Sequence, residues 1–252
     1  MKGARRLAAV AAAGLLAGCG GGAPGAGEQR TLTVFAAASL TDVFAELESR
    51  FEEAHPGVDV VLNPGASSDL AQQIVHGAPA DLFAAANTAT MRTVADAGLV
   101  AGEPTVFATN ELQIVTAPGN PEGIAGFADL ARPDLQVVVC APQVPCGAAA
   151  ERIEELTGVT LQPVSEEPDV LSTLSKVATG NADAGLVYAT DVGAADDRVQ
   201  GIAFPEAAQA VNEYPIAVIA DAEAADLARA FRDLVTGADG RAVLDAAGFG
   251  PP

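Results

Sequence analysis

Thr33-Val-Phe-Ala-Ala-Ala-Ser39-Leu-Thr-Asp42 passes without a break from an apolar strand into a helix, with a serine at the junction. Thr31 to Ala38 is β-branched and apolar with no alternation, the pattern of a central strand covered on both faces. Leu40, Val43, Phe44, Leu47 and Phe51 then recur at helical spacing, and His55-Pro56-Gly57 ends the helix. A strand that feeds a helix directly is the first part of a βαβ unit. The start of a helix leaves backbone N–H groups unpaired and carries the positive end of the dipole. Ser39 therefore has two readings, an ordinary N-cap or one wall of a small anion site.

The same unit recurs along the chain. Val58 to Leu62 reads as a strand, Asn63-Pro64-Gly65 as a turn, and Ser67-Ser68-Asp69 opens a helix with Leu70, Ala71 and Ile74 on its apolar face. Gly77 to Ala86 is a turn followed by a buried strand, and Met91 to Gly98 a short helix. A second alternation follows, with strands at Leu112–Ala117, Leu135–Cys140 and Ala184–Tyr188. Helices are expected at Phe127–Ala131, Cys146–Leu156 and Asp169–Thr179. After Glu213-Tyr214-Pro215 come an apolar run to Ile219, a helix at Ala224–Val235 and a last amphipathic piece, Gly240–Ala247. Alternation at this density predicts an α/β fold of two lobes, each a mainly parallel sheet flanked by helices. Residues 31–109 with 214–252 form the first lobe and 110–213 the second, joined by a hinge of two crossing segments.

Composition narrows the function. The chain has 252 residues, half of them apolar, and a formal charge of -20. That charge repels nucleic acid. It also requires any anion site to work through local donors. Lys2, Arg5 and Arg6 precede the apolar run Leu7 to Leu16, which ends at Leu16-Ala17-Gly18-Cys19. Residues 1–18 thus resemble a lipoprotein signal, with Cys19 as the lipidated residue of an extracytoplasmic, membrane-anchored protein; a simple secretory signal is the alternative. Residues 19–30, rich in Gly and Ala, read as a flexible tether. Cys140 and Cys146 remain, an even pair in a compartment that permits disulfides. A bridge across so short a loop contributes about 2 kcal/mol; two separate buried thiols are the other reading.

Ser67 stands at a helix start as Ser39 does, and so do Cys146-Gly147 and Asp169-Val170. In open α/β sheets such starts converge outside the carboxyl ends of the strands. Tyr188 ends a strand and can add a phenolic donor, or serve as a packing residue with a wet hydroxyl. Asp42, Asp69 and Asp169 complement the helix dipoles and are expected to point away from any anion. His55 at a helix stop and His76 just before a turn are expected on the surface and offer no base to a serine nucleophile; Gly65-Ala-Ser67-Ser68-Asp69 also lacks the spacing of a nucleophile elbow. A serine hydrolase is thus a remote alternative, and no enzymatic activity is expected.

Phe35-Ala-Ala-Ala-Ser39-Leu, Gly65-Ala-Ser67-Ser68, Gly77-Ala-Pro-Ala-Asp81-Leu-Phe, Val144-Pro-Cys146-Gly147, Gly185-Leu-Val-Tyr188 and Glu213-Tyr-Pro215, taken in order, resemble the periplasmic molybdate-binding proteins of ABC uptake systems. The resemblance implies a type II periplasmic-binding-protein fold that closes on molybdate or tungstate and delivers it to a membrane permease. It places hydroxyl donors at Ser39 and Ser67, backbone N–H donors at Cys146 and Val170, and a phenolic donor at Tyr188. It implies no cofactor, no metal apart from the oxyanion, and action as a monomer. Where this chain has Cys146 the family commonly has alanine, a change a main-chain donor tolerates. Molybdate is a dianion without a proton at neutral pH, so donors alone satisfy it, whereas hydrogen phosphate also needs an acceptor. Sulfate, a small carboxylate and ferric iron are the alternative solutes. Ferric sites of this architecture favour neighbouring tyrosines, and Tyr188 and Tyr214 stand well apart in the chain. Tyr214 reads as a hinge or packing residue.

Overall fold

The computed structural model describes residues 29–252; the signal segment, Cys19 and the tether up to residue 28 lie outside the described residues. Two five-stranded sheets carry the fold. The first is built from β1 (Arg30–Ala37), β2 (Val58–Gly65), β3 (Leu82–Ala84), β4 (Thr105–Asn110) and β10 (Asn212–Val218), in the order β2-β1-β3-β10-β4. The second contains β5 (Leu112–Thr116), β6 (Val137–Cys140), β7 (Ser165–Glu167), β8 (Ala184–Tyr188) and β9 (Gln200–Ile202), in the order β7-β6-β8-β5-β9. The chain crosses between the sheets at Asn110–Leu112 and again between β9 and β10.

Each sheet is mixed. β1 pairs in parallel with β2 and β3, while β10 runs antiparallel to β3 and β4. In the second sheet β6 pairs in parallel with β7 and β8, and β5 runs antiparallel to β8 and β9. The reversed strand in each case adjoins a crossing, because a chain that enters from the other lobe arrives from the opposite end of the sheet.

α1 (Thr41–Ala54), α7 (Ala225–Thr236) and α8 (Ala238–Ala246) cover one face of the first sheet, burying Phe44, Phe51, Phe107 and Phe231. α2 (Ser67–Val75) and α3 (Thr88–Asp96) cover the other, over Ile74, Phe83 and Met91. Burial of one such aromatic or aliphatic side chain stabilises by about 1.5–3 kcal/mol, which is why these faces hold the helices in place. The second sheet shares a continuous core with α4 (Pro145–Thr157), α5 (Val170–Ala178) and α6 (Ala189–Ala195).

Two local expectations change. Asn63-Pro64-Gly65 is not a turn but the end of β2, paired with Phe35, Ala36 and Ala37; β2 is an edge strand, where proline's missing N–H faces no partner. Glu213-Tyr214-Pro215 lies inside β10, and the pairing with β4 shifts between Tyr214 and Pro215 to absorb the proline.

Candidate functional site

The carboxyl ends of β1 and β2 in one sheet face those of β6, β7 and β8 in the other; β1 and β8 lead straight into a 3-10 turn and a helix, and short connections join β2, β6 and β7 to theirs. One small cavity of about 20 Å³ lies between them, lined by Ser39, Ser67, Cys146, Val170 and Tyr188 among others. All five expected residues thus meet at one place. The space admits a compact inorganic group; pockets for organic ligands run to several hundred Å³.

Ser39 sits in the 3-10 turn Ala38–Leu40 that joins β1 to α1. Neither serine caps its helix. The residues before α1 and α2 are Leu40 and Ala66, with no side-chain cap bond. Ser39 Oγ lies instead 2.9 Å from Tyr214 Oη. Ser67 Oγ accepts the Ala86 backbone N–H at 3.0 Å, and the residue is 2% exposed. Cys146 is the second residue of α4, after Pro145, and Val170 is the first of α5. First-turn N–H groups have no acceptor within their own helix, so both positions present free donors.

Cys146 is joined to Cys140 at the end of β6, with 5.7 Å between their Cα atoms. The bridge ties the α4 start to the strand that supports it. Gly147 allows the close approach: a Cβ there would lie 1.9 Å from the Ala141 carbonyl oxygen. Asp169, also in the lining, turns its carboxylate to the Ser172 N–H at 2.7 Å as the cap of α5. Asp42 and Asp69 are exposed. His55 and His76 bond the carbonyls of Phe51 and Gln72 at the ends of α1 and α2. His55 is half-buried and stacks on the Phe51 ring, so only His76 is fully on the surface.

Tyr188 is buried, hydroxyl included, and its Oη accepts from Asn212 Nδ2 at 2.9 Å. Tyr188 and Tyr214, distant in the chain, are neighbours with ring centroids 6.0 Å apart. Their sequence separation therefore does not argue against a ferric site. Burial is the first reason that both phenols titrate well above the ordinary range, so both are neutral and carry protons to donate. Among the described residues the cavity lining contains no Lys or Arg.

Asp191 was not foreseen. It is 4% exposed, accepts the Tyr188 N–H at 3.0 Å, and burial pushes its carboxyl up to about 7, with Asp42 and Asp169 adding to the effect. It lines a larger cleft of about 620 Å³ that shares Ala38 and Ser39 with the small cavity and also holds Asp42 and Arg198. Asn110 and Asn212 were also missed; they pair across β4 and β10 at the hinge.

Residues 32–250 match the family model described as bacterial extracellular solute-binding protein. The chain is 50% identical to the molybdate-binding protein ModA of Mycobacterium tuberculosis over 98% of its length and 96% of the relative's. In structure it resembles the periplasmic molybdate-binding protein of Azotobacter vinelandii, with a TM-score of 0.75 and 23% identity over 88% of this chain and 99% of that one. It also resembles the sulfate-binding protein SubI of Mycobacterium tuberculosis, with a TM-score of 0.77 and 21% identity over 88% and 87%. The last two show the shared fold. The family consists of binders, not catalysts. The chain belongs to the bacterial extracellular solute-binding proteins, and among them to the family of the molybdate-binding protein ModA.

Proposed function

We propose that this protein captures molybdate or tungstate between its lobes, 31–109 with 214–252 and 110–213, and delivers the anion to an ABC permease. One observation carries the reading: Ser39 and Ser67 from one lobe and Cys146, Val170 and Tyr188 from the other line a single small cavity whose lining has no Lys or Arg. Such a donor set matches a proton-free tetrahedral dianion. In a dry, low-dielectric cavity each donor bond to a dianion is stronger than in water, so an acidic body can hold an anion. The lipobox at Leu16 to Cys19 supports an anchor at the outer face of the cell membrane, from which a single copy works.

Sulfate is the second reading, favoured by the structural likeness to a sulfate-binding protein, and it is also a dianion without a proton at neutral pH. Titration calorimetry with molybdate, tungstate, sulfate and phosphate separates the readings. Heat from the first two alone is expected. Binding of sulfate alone, or of none of the four, overturns the proposal. In the same experiment Ser39→Ala should weaken binding by about 1–3 kcal/mol, the loss of a donor to a charged group.

A further inference from the structure

A hydroxyl can donate or accept, and its proton turns to suit its surroundings. A cage built from hydroxyls therefore favours proton-free anions only if something fixes those protons. The hinge supplies the groups that do so. Asn212 Nδ2 faces the carbonyl oxygens of Ala86 at 2.7 Å and Pro145 at 3.4 Å, so its amide must present nitrogen on that side. The same nitrogen lies 2.9 Å from Tyr188 Oη. Tyr188 must accept there, and its own proton is left for another acceptor.

Ser39 is governed in the same way. Asn110 Oδ1 accepts the Glu111 N–H at 3.0 Å, and its Nδ2 donates to Thr190 Oγ1 at 2.8 Å. So oriented, Asn110 stands opposite Asn212 across β4 and β10. Tyr214 Oη stands 2.9 Å from Ser39 Oγ, and either oxygen can be the donor. A phenol is the more acidic partner of an alcohol, which favours Tyr214 as the donor and Ser39 as the acceptor. The Ser39 proton is then free for the cavity. Tyr214 is fully buried, and its ring packs edge-on against Tyr188, Phe107 and Phe249.

Resting on the proposed function, we infer that Asn212 and Tyr214 are positioning residues that hold the Tyr188 and Ser39 hydroxyls as donors, and so make the cavity reject oxyanions that carry a proton. Neither needs to touch the anion. Both stand on β10, at the return crossing, so the lobe junction itself sets the chemistry of the site.

The test is a change in selectivity, which a loss of packing alone would not produce. Tyr214→Phe keeps the ring and removes the donor to Ser39; Asn212→Leu removes the donor to Tyr188. In each variant a freed hydroxyl can accept a proton from hydrogen phosphate. Molybdate affinity is measured by calorimetry, phosphate by its power to displace molybdate, and folding by the melting temperature of the unliganded protein. The ratio of molybdate to phosphate affinity is expected to fall by about tenfold or more in Tyr214→Phe, about the weight of one hydrogen bond. Phosphate should then displace molybdate at concentrations that leave the wild type untouched. If Tyr214→Phe folds and the two anions weaken equally, or neither changes, the inference fails while the proposed function stands. A wild type that binds neither molybdate nor tungstate overturns both. Asn212→Leu repeats the measurement at the second hydroxyl, and an unchanged ratio there removes Asn212 from the assignment.

Discussion

Among the described residues Asp191 is the one carboxyl that burial pushes up to about 7. Its folded value of about 7 lies above the ordinary 3.8. Between those values the unfolded chain releases a proton that the folded chain keeps. Its stabilising contribution is therefore complete below about pH 4 and lost as pH rises to about 7. Asp191→Asn keeps an acceptor for the Tyr188 N–H and cannot ionise. Its gain in unfolding free energy over the wild type, read from denaturant melts, should grow from pH 4 to pH 7 and then level off, reaching on the order of 2–4 kcal/mol. A gain that is the same at every pH, or that shrinks as pH rises, would contradict the burial argument. The negative charge also sits beside the Tyr188 donor once the folded carboxyl ionises, so wild-type affinity for a dianion should decline as pH rises through about 7 and that of the variant should not. Nothing in the sequence marks this residue. Asp191 reads as one more acidic residue in a chain with 33 of them, and its burial is visible only once α6 folds back from Tyr188. Ser39 and Ser67 were legible because a helix start can be read locally. Asn110 and Asn212 were not, because their partners lie 80 and 24 to 126 residues away.

At the scale of elements, long strands and amphipathic helices declared themselves through periodicity: Ala184–Tyr188 has the same bounds in the sequence reading and in the fold. β7 and β9, with three residues each, are too short to carry a period. Pairing with β6 and β5, and not local pattern, makes them strands. The loop from Cys140 to Cys146 shows what a short covalent link adds to such an element. It holds the first turn of α4 against the end of β6, where Cys146 lines the cavity. Replacing both cysteines by serine should lower unfolding free energy by about 2 kcal/mol, the loop-entropy value for so short a ring. It should also weaken molybdate binding, because a donor that wanders must be ordered again on binding. Denaturant melts with and without ligand measure the two effects separately. If stability falls and affinity does not, Gly147 and the packing of α4 alone are enough to place the donor.

For the whole molecule the charge is the feature that sets behaviour, since a chain of -20 has to admit a dianion. The cleft beside the cavity places Arg198 among Asp42 and Asp191, so it offers no net positive funnel. Association must therefore proceed against the field of the body. Added salt shortens the Debye length from roughly 30 Å at 0.01 M to about 8 Å at physiological strength, and that repulsion fades. The association rate should accordingly rise a few-fold with ionic strength. The dissociation rate should change little, because donors in so small a cavity are poorly screened. A cation-built site would behave in the opposite way, its association slowing as salt is added. The measurement is direct in this protein: it contains no tryptophan and only two tyrosines, Tyr188 and Tyr214, with one lining the cavity and the other bonded to Ser39. Stopped-flow tyrosine fluorescence over a salt series thus reports the site itself. Slower association at higher salt would show that Arg198 or another cation steers the anion, and would remove the claim that neutral dipoles alone hold it.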